Sequence, residues 1–114
     1  MTIIMVSMAG RQKFELIYAP ITKRHLRAVE SKHYSLIRHA IETHLRVEPD
    51  VETRNRKPLR RPVVFGATWE IRFGPNNRLR VFYRVSRDER RVEILAIGEK
   101  AGKRLLVGRE EIQI

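Results

Sequence analysis

The chain has 114 residues, one domain's length, and 42% of them are apolar, enough to bury a core without staples. It contains no cysteine, which excludes disulfide frameworks, thiolate metal sites and cysteine nucleophiles, and no apolar run reaches the roughly 18 residues of a membrane span. Against 13 Asp and Glu stand 24 Lys and Arg, a formal charge of +11, and such a field draws polyanions, nucleic acid first and acidic proteins second.

Residues 1–12 (MTIIMVSMAGRQ) have no clear period and read as an N-terminal extension to a single domain spanning 13–114. They lack the basic start of a signal peptide, so the expectation is a soluble, cytoplasmic protein. Lys13 to Tyr18 (KFELIY) alternates and predicts a first strand, ended at Ala19-Pro20 because proline removes a ladder donor. Ile21 to Glu30 predicts a helix with Leu26 and Val29 on one face. Ser31 is placed to cap a second helix over Lys32–Glu48, whose stripe Tyr34, Ile37, Ile41 and Leu45 has helical spacing; Pro49 stops it. The two would form a helical hairpin with one shared apolar face. Residues 49–62 follow neither period and read as a basic loop.

Three strands come next. Val63 to Phe73 alternates from Trp69 onward, with Trp69, Ile71 and Phe73 opposite Glu70 and Arg72. Gly74-Pro75-Asn76-Asn77 has turn composition, and Arg78 to Val85 alternates again, with Arg80, Phe82 and Arg84 away from the core side. A polar RDER segment leads into Val92–Ile97. Such short links force antiparallel pairing, so the order β-α-α-β-β-β defines an α+β domain with helices covering one sheet face. The tail, Gly98 to Ile114, holds a short element around Leu105–Val107 of unassigned type.

Most catalytic chemistry lacks its residues. His25, His33, His39 and His44 form no HExxH, and the step from His39 to His44 misses the i, i+4 pairing of helical ligands, so no metal site is expected. Nucleotide-binding glycine loops and the GxSxG elbow are absent, and no cofactor is expected. Glu110 and Glu111 are adjacent and would diverge on a strand. What remains is basic. Arg72 and Arg80 share a sheet face by parity, with Lys100 and Lys57 within reach, and their mutual repulsion is relieved by a polyanion or an acidic partner. Glu70 and Glu93 are the main acids near them.

The segments KPL, WEIRFG, RLRVFYRV and VEILAIGEK between Lys57 and Lys100, in that order and spacing, resemble the RelE/ParE superfamily of toxin–antitoxin toxins, over about residues 13 to 108. The resemblance implies a compact toxin held silent by a cognate acidic antitoxin, alone or as a dimer or hetero-oligomer with it. RelE-like members cut mRNA in the ribosomal A site, whereas ParE-like members poison DNA gyrase. Carried over residue by residue, the third-strand arginine falls on Arg80, the second-strand basic pair on Glu70 and Arg72, and the basic residue after the last strand's glycine on Lys100. The substrate-stacking tyrosine falls on Leu106, and the pre-strand glutamate base of some relatives falls on Lys57.

Cleaving RNA without a metal requires a deprotonated 2′-hydroxyl, a stabilised pentavalent phosphate and a protonated leaving oxygen. Arginine, with a pKa above about 12, suits only the second task, which falls to Arg72 and Arg80. Lys100 or Lys57 would transfer protons if neighbouring cations depress its pKa, and Glu70 is the nearest carboxylate. Around this catalytic set of Arg80, Arg72, Lys100 and Glu70, the residues Lys57, Arg54, Arg56, Arg60, Arg61, Arg78, Lys103 and Arg104 are expected to bind RNA. The expectation is a ribosome-dependent mRNA endoribonuclease that inhibits translation. A ParE-like gyrase inhibitor, or a degenerate toxin that keeps only antitoxin or RNA binding, is the alternative. Arg80→Ala is expected to abolish toxicity and leave the fold intact.

Overall fold

The computed structural model describes residues 13–61 and 65–112; the N-terminal extension and the start of the strand expected from Val63 lie outside them. The elements in order are β1 (Glu15–Tyr18), α1 (Thr22–Arg27), α2 (Tyr34–Leu45), β2 (Arg56–Pro58), β3 (Trp69–Phe73), β4 (Leu79–Ser86), β5 (Arg91–Ala101), β6 (Arg104–Val107) and β7 (Glu110–Ile112). The predicted α+β order therefore holds, with three short strands added. One lies inside the basic loop, where Arg56–Pro58 pairs with Ile71–Trp69. The other two fold the tail into a hairpin, β6 on β5 and β7 on β6. Three or four residues are too few for a two-residue period to register against loop composition.

Both helices differ from expectation at their ends. The first is six residues rather than ten, and its Thr22 hydroxyl donates to the Ala19 carbonyl at 2.6 Å. Ser31 opens a single 3₁₀ turn, so the residue before α2 is His33, and no side chain caps either start. The stripe Ile37, Ile41 and Leu45 is buried, with Ala40 beside it, whereas Tyr34 in the first turn is exposed. That face, with Phe14 and Val29, packs on Ile71, Phe73, Leu79, Val81, Tyr83, Val92, Ile94 and Ile97 from the sheet. Trp69 stacks on Tyr83 at 6.3 Å between ring centres, and the buried Tyr83 hydroxyl donates to the Pro49 carbonyl at 2.7 Å.

The opposite sheet face is only partly solvated. Phe82, Ala96, Leu105 and Val107 are buried there beneath Ala67, with Leu59, Phe65, Leu95 and Ile112 around them. A solvated face would leave Phe82 wet; the β6–β7 hairpin and the segment around Phe65 cover it instead. This second cluster occupies one part of the face and leaves Arg72 and Arg80 in the other.

β5 organises the sheet. Its first half pairs in parallel with β1, its second half pairs with β6 on the same edge, and β4 runs antiparallel along its other edge. Between β1 and β6 the Ile97 N–H has no strand opposite, and it donates to Nδ1 of the buried His25 at 3.2 Å. A histidine from α1 thus completes the ladder. Gly98, the next residue, lies opposite both Arg80 and Val107. A Cβ there would approach the Leu106 carbonyl oxygen to 2.6 Å and Val107 Cγ2 to 2.8 Å. Gly98→Ala should therefore destabilise the fold by about 1–3 kcal/mol through overpacking, read as a lower denaturant midpoint at unchanged slope.

Burial, and then Arg24, holds the His25 pKa below the ordinary imidazole range, against a weaker opposing pull from Glu110. Protonation would also turn Nδ1 from acceptor to donor against the Ile97 N–H. With the folded pKa below the unfolded one, this stabilisation is complete above about pH 6.5 and is lost as the pH falls through the folded value. His44, also shifted down first by burial, adds in the same direction. Thermal unfolding should show a lower midpoint at about pH 5.5 than at about pH 7.5, and His25→Asn, which keeps an acceptor but cannot titrate, should reduce that difference.

Candidate nucleic-acid interface

The site is built on the antiparallel pair β3–β4. Glu70 lies opposite Phe82, and Arg72 lies opposite Arg80. All four are on the face away from the helices, as alternation requires. The tight turn at 74–77 sets the register: Asn76 and Asn77 both take left-handed backbone conformations, with φ of 55° and 54°. Asparagine tolerates that region better than most residues. The turn also aims the Asn77 carbonyl back along β4, where Arg80 Nε donates to it at 3.0 Å.

Glu70 is buried, with 2% of its side chain exposed, and its two oxygens part between two cations. Oε1 accepts from Arg72 Nε at 2.6 Å and Oε2 from Arg80 Nη1 at 3.3 Å. Arg80 is itself only 12% exposed, whereas Arg72 is 44% exposed. The Arg72 backbone is clamped by Asn55, which accepts from its N–H at 3.0 Å and donates to its carbonyl at 2.8 Å. Both Nη groups of Arg72 and Nη2 of Arg80 hold no hydrogen bond to a described residue. The outer edge of the cluster thus presents fork donors without acceptors, the arrangement that suits a phosphate or carboxylate.

The other expected residues divide. Lys57 lies opposite Glu70 across β2–β3, but its ammonium turns to Glu52 at 3.5 Å. Lys100 is half-buried on the same face, two residues from Gly98, the partner of Arg80; its N–H donates to the Arg78 carbonyl, and its ammonium has no ion pair with a described residue. Diagonal neighbours on a sheet face are within reach of long side chains. Arg54, Arg60 and Arg61 are exposed in the loop, and Lys103 stands at the tip of the β5–β6 hairpin. Arg78 faces Glu99 at 3.8 Å.

Arg56 does not fit its RNA-binding expectation, and Arg104 lies away from the Arg72–Arg80 face. Arg56 is buried: Nε donates to the Val51 carbonyl at 2.9 Å and Nη1 to the His44 carbonyl at 2.6 Å, so it ties the loop to the end of α2. By alternation it faces the helices, which composition alone does not reveal. Arg104 lines a depression with Ala28, Val29 and Ile97 on the helix side, and pairs with Glu111 at 2.9 Å. The structure also corrects the view that Arg80 could be truncated without cost. Arg80→Ala removes one of the two cations from a buried carboxylate and should destabilise by about 1–3 kcal/mol in urea unfolding. Pairing it with Glu70→Leu should recover part of that loss.

Among the described residues no group of three or more His, Asp or Glu converges as a metal site, and no helix is long and apolar enough to cross a membrane. A depression of about 400 Å³ lies on the helix side, lined by Tyr18, Leu26, Tyr34, Ile37 and Ile41 with Arg38 and Glu42.

Two helices over one face of a small sheet, with arginines on part of the opposite face, define an α+β fold. Within it, the chain is similar to a chain of the crystal structure of the toxin–antitoxin complex RelBE2 from Mycobacterium tuberculosis, with a TM-score of 0.63 and 23% identity over 79% of this chain and 94% of that one. That likeness is one of fold. No protein-family model matches the sequence, and no curated protein matches it significantly.

Proposed function

We propose that the chain is the toxin of a toxin–antitoxin module and acts as an mRNA endoribonuclease on the ribosome, inhibiting translation. The observation that carries this reading is the pair Arg72–Arg80, directly opposed on β3 and β4, with outward donors that no described residue fills. Such a pair would hold the non-bridging oxygens of a scissile phosphate, and its grip strengthens as the pentavalent state gains charge. Lys100, diagonal to Arg80 and without an acidic partner among the described residues, is the better placed of the two lysines to move a proton; Lys57 is drawn toward Glu52. Exposed Arg54, Arg60, Arg61 and Lys103 supply the salt-dependent attraction to the RNA backbone.

The fold shared with a toxin–antitoxin complex supports an antitoxin partner. An acidic antitoxin segment would cover the basic face or pack beside the helices, where the depression between Tyr18 and Ile41 lies open. Leu106 in place of a stacking tyrosine, and Lys57 in place of a glutamate base, favour a second reading, a ParE-like inhibitor of DNA gyrase.

Expression of the chain without an antitoxin should arrest growth, and primer extension should map new breaks in translated mRNA. Arg80→Lys should restore only part of the toxicity, because a point charge cannot reproduce the fork, with a loss of roughly 10²-fold or more in cleavage rate. Toxicity with intact mRNA and stalled gyrase–DNA complexes would assign the gyrase reading instead; no growth effect at all would assign a degenerate toxin.

A further inference from the structure

Two guanidiniums on directly opposed strand residues place their Cβ atoms about 5 Å apart, where like charges repel and long side chains splay into solvent. Arg80 does not splay: it is 12% exposed and fixed at two points, the Asn77 carbonyl and Glu70. Glu70 is also the residue that stands where the resemblance expects a cation. Its carboxylate has 2% exposure and gives one oxygen to each arginine, so it has no free edge to meet a ribose hydroxyl.

We propose that Glu70 is a positioning residue, a built-in counter-anion that locks the inner donors of Arg72 and Arg80 so that their outer donors converge on one phosphate. It is not the general base. This rests on the reading of the face as a phosphodiester site. The geometry separates the proposal from a simple charge effect, because the two differ in sign. If Glu70 acted only through its negative charge, its neutralisation would strengthen phosphate binding and speed cleavage. If it holds the fork, the same change releases two mutually repelling guanidiniums and slows cleavage, since a misplacement near 1 Å costs about 10²-fold in rate.

Single-turnover cleavage of a short mRNA on purified ribosomes, measured against the concentration of full-length protein, tests this. Glu70→Gln should lower the saturating rate by roughly 10–100-fold and leave the half-saturating concentration nearly unchanged, a split that partial unfolding does not produce. Glu70→Asp keeps the charge but reaches one arginine less well, and should fall between; it decides the matter alone if Glu70→Gln does not fold. Wild-type or faster cleavage by these variants overturns the positioning role while the nuclease reading stands. A wild-type protein that cuts no mRNA overturns the nuclease reading, and the inference with it.

Discussion

A buried carboxylate shared by two arginines sets the character of this sheet. Desolvating one charge costs several kcal/mol, and a single ion pair seldom repays it fully. Glu70 is paired twice, once along its own strand and once across it. Each contact therefore depends on the β3–β4 register: a slip of one residue would send Glu70 into the helix-side core and Arg80 away from it. The apolar residues enforce the same register, since Ile71, Phe73, Leu79 and Val81 all reach that core together. Hydrophobic pattern and ion-pair geometry agree, and such agreement between levels is what makes a register unique.

β5 shows a second constraint, the need to satisfy an edge where two partners meet. β1 and β6 approach the same side of β5 from opposite ends, and neither covers Ile97. A register shift between Phe82 and Tyr83 on the β4 side brings Leu95 and Ala96 both toward the second cluster and returns Ile97 to the helix core. His25 fills the gap at the Ile97 N–H, and Gly108 at the end of β6, with φ of +59°, lets the chain turn close against the imidazole. Helix α1 is short, yet it is pinned to the sheet by a hydrogen bond as well as by packing.

The long elements were legible because their periods are long enough to register. Alternation from Trp69 to Phe73 and from Leu79 to Val85 put Glu70, Arg72 and Arg80 on one face, and the structure keeps them there. What the pattern lacked was depth. It placed Glu70 near Arg72 but not beneath both arginines, because burial depends on how far Phe82, Leu105 and Val107 draw a cover over the neighbouring surface. Arg56 was misread for a related reason: in a three-residue strand its parity cannot be seen, and a buried arginine bonded to carbonyls looks in sequence like any member of a basic loop. Among the histidines, nothing local marks His25 as the partner of an amide 72 positions away.

The charge itself is distributed with some economy. Arg46, Arg84, Arg87 and Arg104 each meet a carboxylate, Glu42, Glu93, Asp50 and Glu111 in turn. Those pairs are largely solvent-exposed and add little stability, but each occupies a carboxylate away from the Arg72–Arg80 face. Lys100 and the loop residues Arg54, Arg60 and Arg61 are among the cations that meet no carboxylate of a described residue. Glu70 stands between the two regimes. It neutralises one of two guanidiniums, enough for the strands to close, and leaves the cluster a net positive charge with donors turned outward. A second carboxylate there would satisfy the face completely and close it to any anion; a lysine in place of Glu70 would add a third charge to a surface that cannot then hold its side chains in place. One buried acid between two arginines is the composition that allows the face to be ordered and still receptive.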